Sequence, residues 1–149
     1  MIERIFDYRR ARKLADDNPA EGLGKWRLVI SRDYYYLLET FQLTRTGPPL
    51  DLGMWVFEPD DDVGPTTYQM HAAMGPHCRG RRAIYSGLTA IEWMYDNTDC
   101  NEILASVPVH LRHAQRIPRA AGLEFVGVQD DIKLYRMTRD RFRNMEMSA

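Results

Sequence analysis

The chain has 149 residues, 44% hydrophobic and 28% charged, which is the range of one globular unit, so a single domain over residues 1–149 is expected. Its 20 Lys and Arg balance 21 Asp and Glu, which argues against a dedicated nucleic-acid binder, and no apolar run approaches the ~20 residues of a membrane span. Cys78 and Cys100 have no regular spacing and read as thiols of a reducing compartment; with charged residues where a secretory signal would be apolar, the expected location is cytoplasmic.

Residues 5–16 place apolar side chains around helical turns and stop at Asn18-Pro19, so a short helix is expected there. Residues 26–30 and 34–41 are rich in aromatic and β-branched types and read as strands joined through Ser31-Arg32-Asp33. The turn string Thr46-Gly47-Pro48-Pro49 precedes a third strand over 50–57, and Glu58-Pro59-Asp60-Asp61-Asp62 followed by Gly64-Pro65 separates it from a fourth over 66–74. The period then changes. Ala83, Ile84, Leu88, Ile91 and Met94 or Tyr95 recur at helical steps, which predicts an amphipathic helix over 79–97 after a junction at 75–80. A buried strand over 102–107, a helix over 109–121 closed by Gly122, and a strand pair over 123–128 and 132–137 complete the chain. The class is α/β (α+β), in the order α-β-β-β-β-α-β-α-β-β. A mixed, mostly antiparallel sheet of about six to seven strands is expected, parallel where the crossover helix returns.

Chemistry concentrates in AAMGPHCRGRRAIYSGLTAIEWMY, where a strand ends, a Gly- and Arg-rich loop turns and a long helix begins. A helix N-terminus offers free N–H groups and the positive end of its dipole to an anion; Gly80 permits close backbone approach, and Arg79, Arg81 and Arg82 add charge-assisted hydrogen bonds. From these residues alone, a phosphate site and a solvated basic helix start are equally good readings.

The segment resembles motif A of the GNAT (Gcn5-related N-acetyltransferase) superfamily, in which a strand ends in a hydrophobic residue and Pro precedes Arg-Gly-x-Gly-x-Gly/Ala at a long helix. Met74, Pro76, Arg79 and Gly80 match, and downstream Ala114 and Gly122 match at the family's spacing. The two segments span about half the chain. The resemblance implies the GNAT fold with acetyl-CoA as cosubstrate, its pantetheine pairing with the backbone of Ala72, Ala73 and Met74 beside an opening in the sheet, and its pyrophosphate over Arg79, Gly80, Arg81, Arg82 and Ala83. It further implies transfer of the acetyl group by direct attack of an amine, from a small molecule or a protein.

The sequence departs from the pattern at Arg82 and Ile84, where the family has small residues, at Pro118, where it places the Tyr that protonates the thiolate, and at Leu111, where it places a cofactor-contacting Asn. Substitute groups are His71 as base and Tyr135, Tyr68 or Cys78 as acid, with His71 and Tyr135 the catalytic candidates; Glu39 and Glu58 rank below His71 as bases. Each has a packing role as its alternative. No metal is expected, because His71, His77 and Cys78 lack a fourth ligand at recognisable spacing. The expected function is an acyl-CoA-dependent N-acyltransferase with a degenerate site. The alternative is a catalytically inactive GNAT-fold protein working by binding. RGRRAIYSGLTAIEWMYDNTDC is similar to the motif A variant of GNAT-like proteins encoded by tailed bacteriophages, which implies phage assembly or virion partners, or self-association, in the bacterial cytoplasm or in the virion.

Overall fold

The computed structural model describes residues 1–4, 9, 13 and 36–148. Tyr36–Gln42 (β2), Leu50–Pro59 (β3) and Thr67–Met74 (β4) form an antiparallel meander, with Ile2–Arg4 (β1) antiparallel on the outer side of β2. The helix Arg81–Asn97 (α1) carries the chain to Glu102–Pro108 (β5), which pairs parallel to β4; parallel neighbours need such a crossover. Arg112–Ala120 (α2) leads to the hairpin of Glu124–Gln129 (β6) and Ile132–Thr138 (β7), which turns on Asp130 and Asp131, both at positive φ. β7 inserts antiparallel between β5 and β6, so the seven-stranded sheet runs β1-β2-β3-β4-β5-β7-β6. Arg139–Ser148 (α3) follows. Among the described residues no helix is long and apolar enough to cross a membrane.

The mixed, mostly antiparallel sheet is as expected, and the structure adds one element at each end of the expected order. All but residues 9 and 13 of the helix expected over 5–16, together with the strand over 26–30, the turn at 31–33 and the first two residues of the strand over 34–41, lie outside the described residues. β1 was not expected: three residues are too few to display a period, and they become a strand because Met1, through its ammonium and its carbonyl, bonds the backbone of Phe41 and Ile2 pairs with Thr40. Nor was α3, half of whose residues are charged and which docks onto the main core through Phe142 and Met145. α2 begins at Arg112 rather than 109, because the Val109 N–H is committed to the Asp131 carbonyl across the sheet.

Side chains alternate between faces along each strand, so register fixes which residues share a face. Trp55, Phe57, Tyr68, Ile103, Tyr135 and Met137 form one face and pack against Ala90, Ile91, Met94 and Tyr95 of α1. Each such buried side chain contributes roughly 1.5–3 kcal/mol. Leu37, Met54, Val56, Ala73 and Leu104 are buried on the other face.

At Gly122, φ is +87° and an added Cβ would lie against the end of the Met145 side chain. Gly122→Ala is therefore expected to cost about 1–2 kcal/mol, part of it recovered in the Gly122→Ala, Met145→Ala double variant, as read by urea unfolding.

Candidate functional site

β4 and β5 share three residue pairs: Thr67 with Glu102, Tyr68 with Ile103 and Gln69 with Leu104. Beyond Gln69, β4 runs on to Met74 paired only with β3, while β5 runs on to Pro108 paired with β7. Each strand is held by its own outer neighbour. The Gly75 N–H bonds the Leu52 carbonyl at 2.8 Å, and the Val109 N–H bonds the Asp131 carbonyl at 2.9 Å. The sheet thus opens into a wedge, and along residues 70–74 the edge of β4 that faces it has no strand partner among the described residues. Ala72, Ala73 and Met74 lie on this edge.

The wedge leads into the loop before α1. A turn closed by the Cys78 N–H on the Gly75 carbonyl buries Cys78 with Leu52 and Ala83, and Ile117 of α2 packs on that cluster. Gly80 occupies the position just before the first turn of α1 at φ +57°, a left-handed conformation that glycine adopts without strain, and a Cβ there would meet nothing within 4 Å among the described residues. Among the described residues no side chain caps α1, and no acid occupies its first turn. Ile84 is bonded back to the Gly80 carbonyl at 3.2 Å, and the amides before it belong to the unsatisfied first turn. Arg79, Arg81 and Arg82 are all exposed, and Arg82 Nη1 donates to the His77 carbonyl at 3.4 Å, so this guanidinium lies along the loop's surface rather than in the wedge. The loop joins an open strand edge to a positively charged, uncapped helix end.

His71 and Tyr135 flank the point where the strands part, on opposite faces. His71 pairs with Val56 and, one strand further, Leu37, on the face away from α1. Burial holds its pKa below the ordinary 6.5, so the imidazole is neutral at pH 7 and able to accept a proton. The lowered folded-state value means that the unfolded chain binds the extra proton more readily. Stability from this group is complete above the unfolded pKa and is lost as pH falls through the folded one. Wild type should therefore lose more of its urea midpoint than His71→Gln when pH drops from about 7.5 to about 5.

Tyr135 pairs with Ala105 on the α1 face and is buried against Phe125, with ring centroids 5.6 Å apart. Tyr68 sits where β4 and β5 are still paired, and burial, assisted by Tyr36, pushes its pKa up to about 12. Burial also raises the Cys78 thiol, with Arg82 and Arg79 offsetting part of the effect. Glu39 is buried on β2, on the face that carries His71; Glu58 is half-buried at the end of β3, its carboxyl raised by burial and then by Asp60.

Pro118 is buried in the last turn of α2, where its missing N–H removes one helical bond, and its carbonyl accepts from the Leu123 N–H at 2.9 Å. Leu111 stands at the start of α2. Gln115 donates to the Val109 carbonyl at 2.7 Å and accepts from Lys133 Nζ at 2.8 Å, which ties α2 to the strands on the far side of the wedge.

One contact escaped the sequence reading: Trp55 Nε1 donates to Ser86 Oγ at 2.8 Å in the core between β3 and α1. Its signal was Ser86-Gly87 inside a helix, two weak helix formers where only close packing explains them. A Cβ at Gly87 would stand 3.3 Å from the Trp55 ring.

No family model matches the sequence, and no curated protein does. Solved structures do match. Spermidine N-acetyltransferase from Vibrio cholerae in complex with CoA and spermine superposes with a TM-score of 0.70 and 12% identity, over 97% of this chain and 98% of that one. A mutant of the same organism's SpeG spermidine N-acetyltransferase gives 0.75 and 11% over 98% and 97%. A chimera of Vibrio cholerae SpeG and hSSAT gives 0.71 and 10% over 97% and 98%. Likeness at this identity speaks to fold, and the fold is that of GNAT acetyltransferases.

Proposed function

We propose that the chain is an acetyl-CoA-dependent N-acetyltransferase whose acceptor is a small-molecule amine. The observation that carries this reading is the continuity of three features: the β4 edge left open along residues 70–74, the Gly80 turn at φ +57°, and the uncapped, acid-free start of α1 beside three exposed arginines. An acyl-CoA presents an amide-bearing arm, which suits a strand edge, and a pyrophosphate, which suits a helix N-terminus. The residues present fit both parts.

In this reading the backbone of Ala72, Ala73 and Met74 holds the arm, and the amides and guanidiniums of Arg79, Gly80, Arg81, Arg82 and Ala83 hold the phosphates. Bound acetyl-CoA supplies the activated acetyl group. Holding the amine nitrogen at the thioester carbon is most of the protein's task, because orientation replaces a bimolecular encounter. As the N–C bond forms and the C–S bond breaks, the neutral His71 takes the proton shed by the amine. The thiolate takes its proton from the Tyr135 hydroxyl or from water, and Tyr135→Phe, measured for rate at saturating amine, separates the two. A rate that falls with acidity as His71 becomes protonated, and loss in His71→Gln of the part of that fall which the titration of the amine does not account for, are the expected results.

A polyamine-like acceptor is supported by the Vibrio cholerae structural neighbour, which is named for spermidine and holds CoA and spermine. The alternative, an inactive binding component of bacteriophage origin, leans on Pro118, which carries no proton to give. Against it stands Arg82, which lies along the loop and does not plug the wedge. Calorimetric titration with acetyl-CoA tests the reading. Micromolar binding is expected in wild type, with affinity roughly thirtyfold weaker in Arg79→Ala, Arg82→Ala. No binding at millimolar acetyl-CoA would overturn it.

A further inference from the structure

β3 touches both halves of the proposed cosubstrate site. At its start, the Leu52 carbonyl accepts from the Gly75 N–H at 2.8 Å, and Gly53 lies so close to Met74 that an added Cβ would sit 2.5 Å from the Ala73 carbonyl oxygen. These contacts fix the end of β4. Two residues on, Trp55 pairs with Ala72 in register, while its indole crosses to α1 to donate to Ser86 and to fill the space left by Gly87. Trp55 and Ser86 are both buried, so no water competes for the bond. Ser86 lies one helical turn beyond Ala83, and a helix moves as a rigid rod over that length. Whatever sets the height and roll of α1 at Ser86 also sets them for the amides of its first turn.

The geometry points to Trp55 as a positioning residue that acts through Ser86 to set the separation between the β4 edge and the N-terminus of α1, and so to match the two parts of an acyl-CoA. This rests on the acetyltransferase reading. Trp55 touches no reacting atom in it. Its effect is on a ligand that must reach both subsites at once, where the two partial bindings reinforce each other only if their spacing is right.

The prediction separates linked from unlinked ligands. Trp55→Phe keeps an aromatic ring but removes the N–H and half the indole, and Ser86→Ala removes the acceptor while leaving the indole whole. In either variant CoA affinity is expected to fall about tenfold, whereas ADP and pantetheine, titrated separately by ligand-observed NMR, each keep their wild-type affinity within about twofold. Ser86→Ala carries the test if Trp55→Phe fails to fold. Unchanged CoA affinity in Ser86→Ala would overturn the inference, and so would parallel weakening of all three ligands together with a lowered Tm, the mark of a merely structural role. If wild type binds neither CoA nor ADP, the acetyltransferase reading has failed and this inference falls with it; if wild type binds CoA and the variants do too, only the inference falls.

Discussion

Gly53→Ala is expected to destabilise the protein by about 4 kcal/mol or more, seen as a fall of roughly 10 °C or more in Tm. Two costs add. The residue has φ +149°, which an L side chain reaches only with strain of about 1–3 kcal/mol. The new Cβ would also stand 2.5 Å from the Ala73 carbonyl oxygen and 2.7 Å from Met74 Cα. Both are backbone atoms of a paired strand, so relief requires β3 and β4 to separate where their pairing holds the end of β4. The contrast with Gly122 makes the prediction specific. There the obstructing atoms belong to the flexible Met145 side chain and truncation gives relief, whereas Met74→Ala should not rescue Gly53→Ala. Folded remnants of the variant should also bind acetyl-CoA poorly, because the displaced strand is the one whose open edge is proposed to hold the arm.

The legible parts of the fold were those with local signals. Gly64-Pro65, the acidic run at 60–62 and the change of period after Met74 located β3, β4 and α1 to within a residue or two. β1 and α3 had no such signal, because each exists through contacts far along the chain: Ile2 with Thr40 in one case, Phe142 with Tyr95 in the other. At the candidate site, the strand-to-helix junction was readable from the Gly- and Arg-rich string, and Gly80, singled out there for close backbone approach, stands at φ +57°, which glycine adopts without strain. The placement of His71 and Tyr135 on opposite faces was not readable. Alternation gives parity within a strand, but relating β4 to β7 requires the register of β5 with both. The Trp55 to Ser86 bond was hidden for a similar reason, since it joins a strand to a helix across 31 residues of sequence.

Arg139→Ala should cost about 3 kcal/mol and lower Tm by about 10 °C, yet leave acetyl-CoA affinity unchanged. The guanidinium donates to three carbonyls where α1 ends, Tyr95 at 2.6 Å, Thr98 at 3.2 Å and Cys100 at 2.7 Å, and lies over the Tyr95 ring. α1 has no basic residue in its own last turn, so the charge that complements its negative end comes from the start of α3. Removing it strands several part-buried carbonyls at once; Arg139→Lys, with one point charge in place of a planar fork, should recover only part of the loss. The affinity should not follow, because the proposed phosphate site is at the opposite end of a 17-residue helix, roughly 25 Å away. The two ends of α1 are unlike. The C-terminal end has carbonyls filled by Arg139 and Thr98, whereas the N-terminal end has no capping side chain and no acid among the described residues and stands among arginines. A helix evolved only to pack would have reason to satisfy both ends, and an unsatisfied positive end is what a bound phosphate would complete. Stability lost without affinity in Arg139→Ala, set against affinity lost without stability in Arg79→Ala, Arg82→Ala, would separate those two roles along one helix.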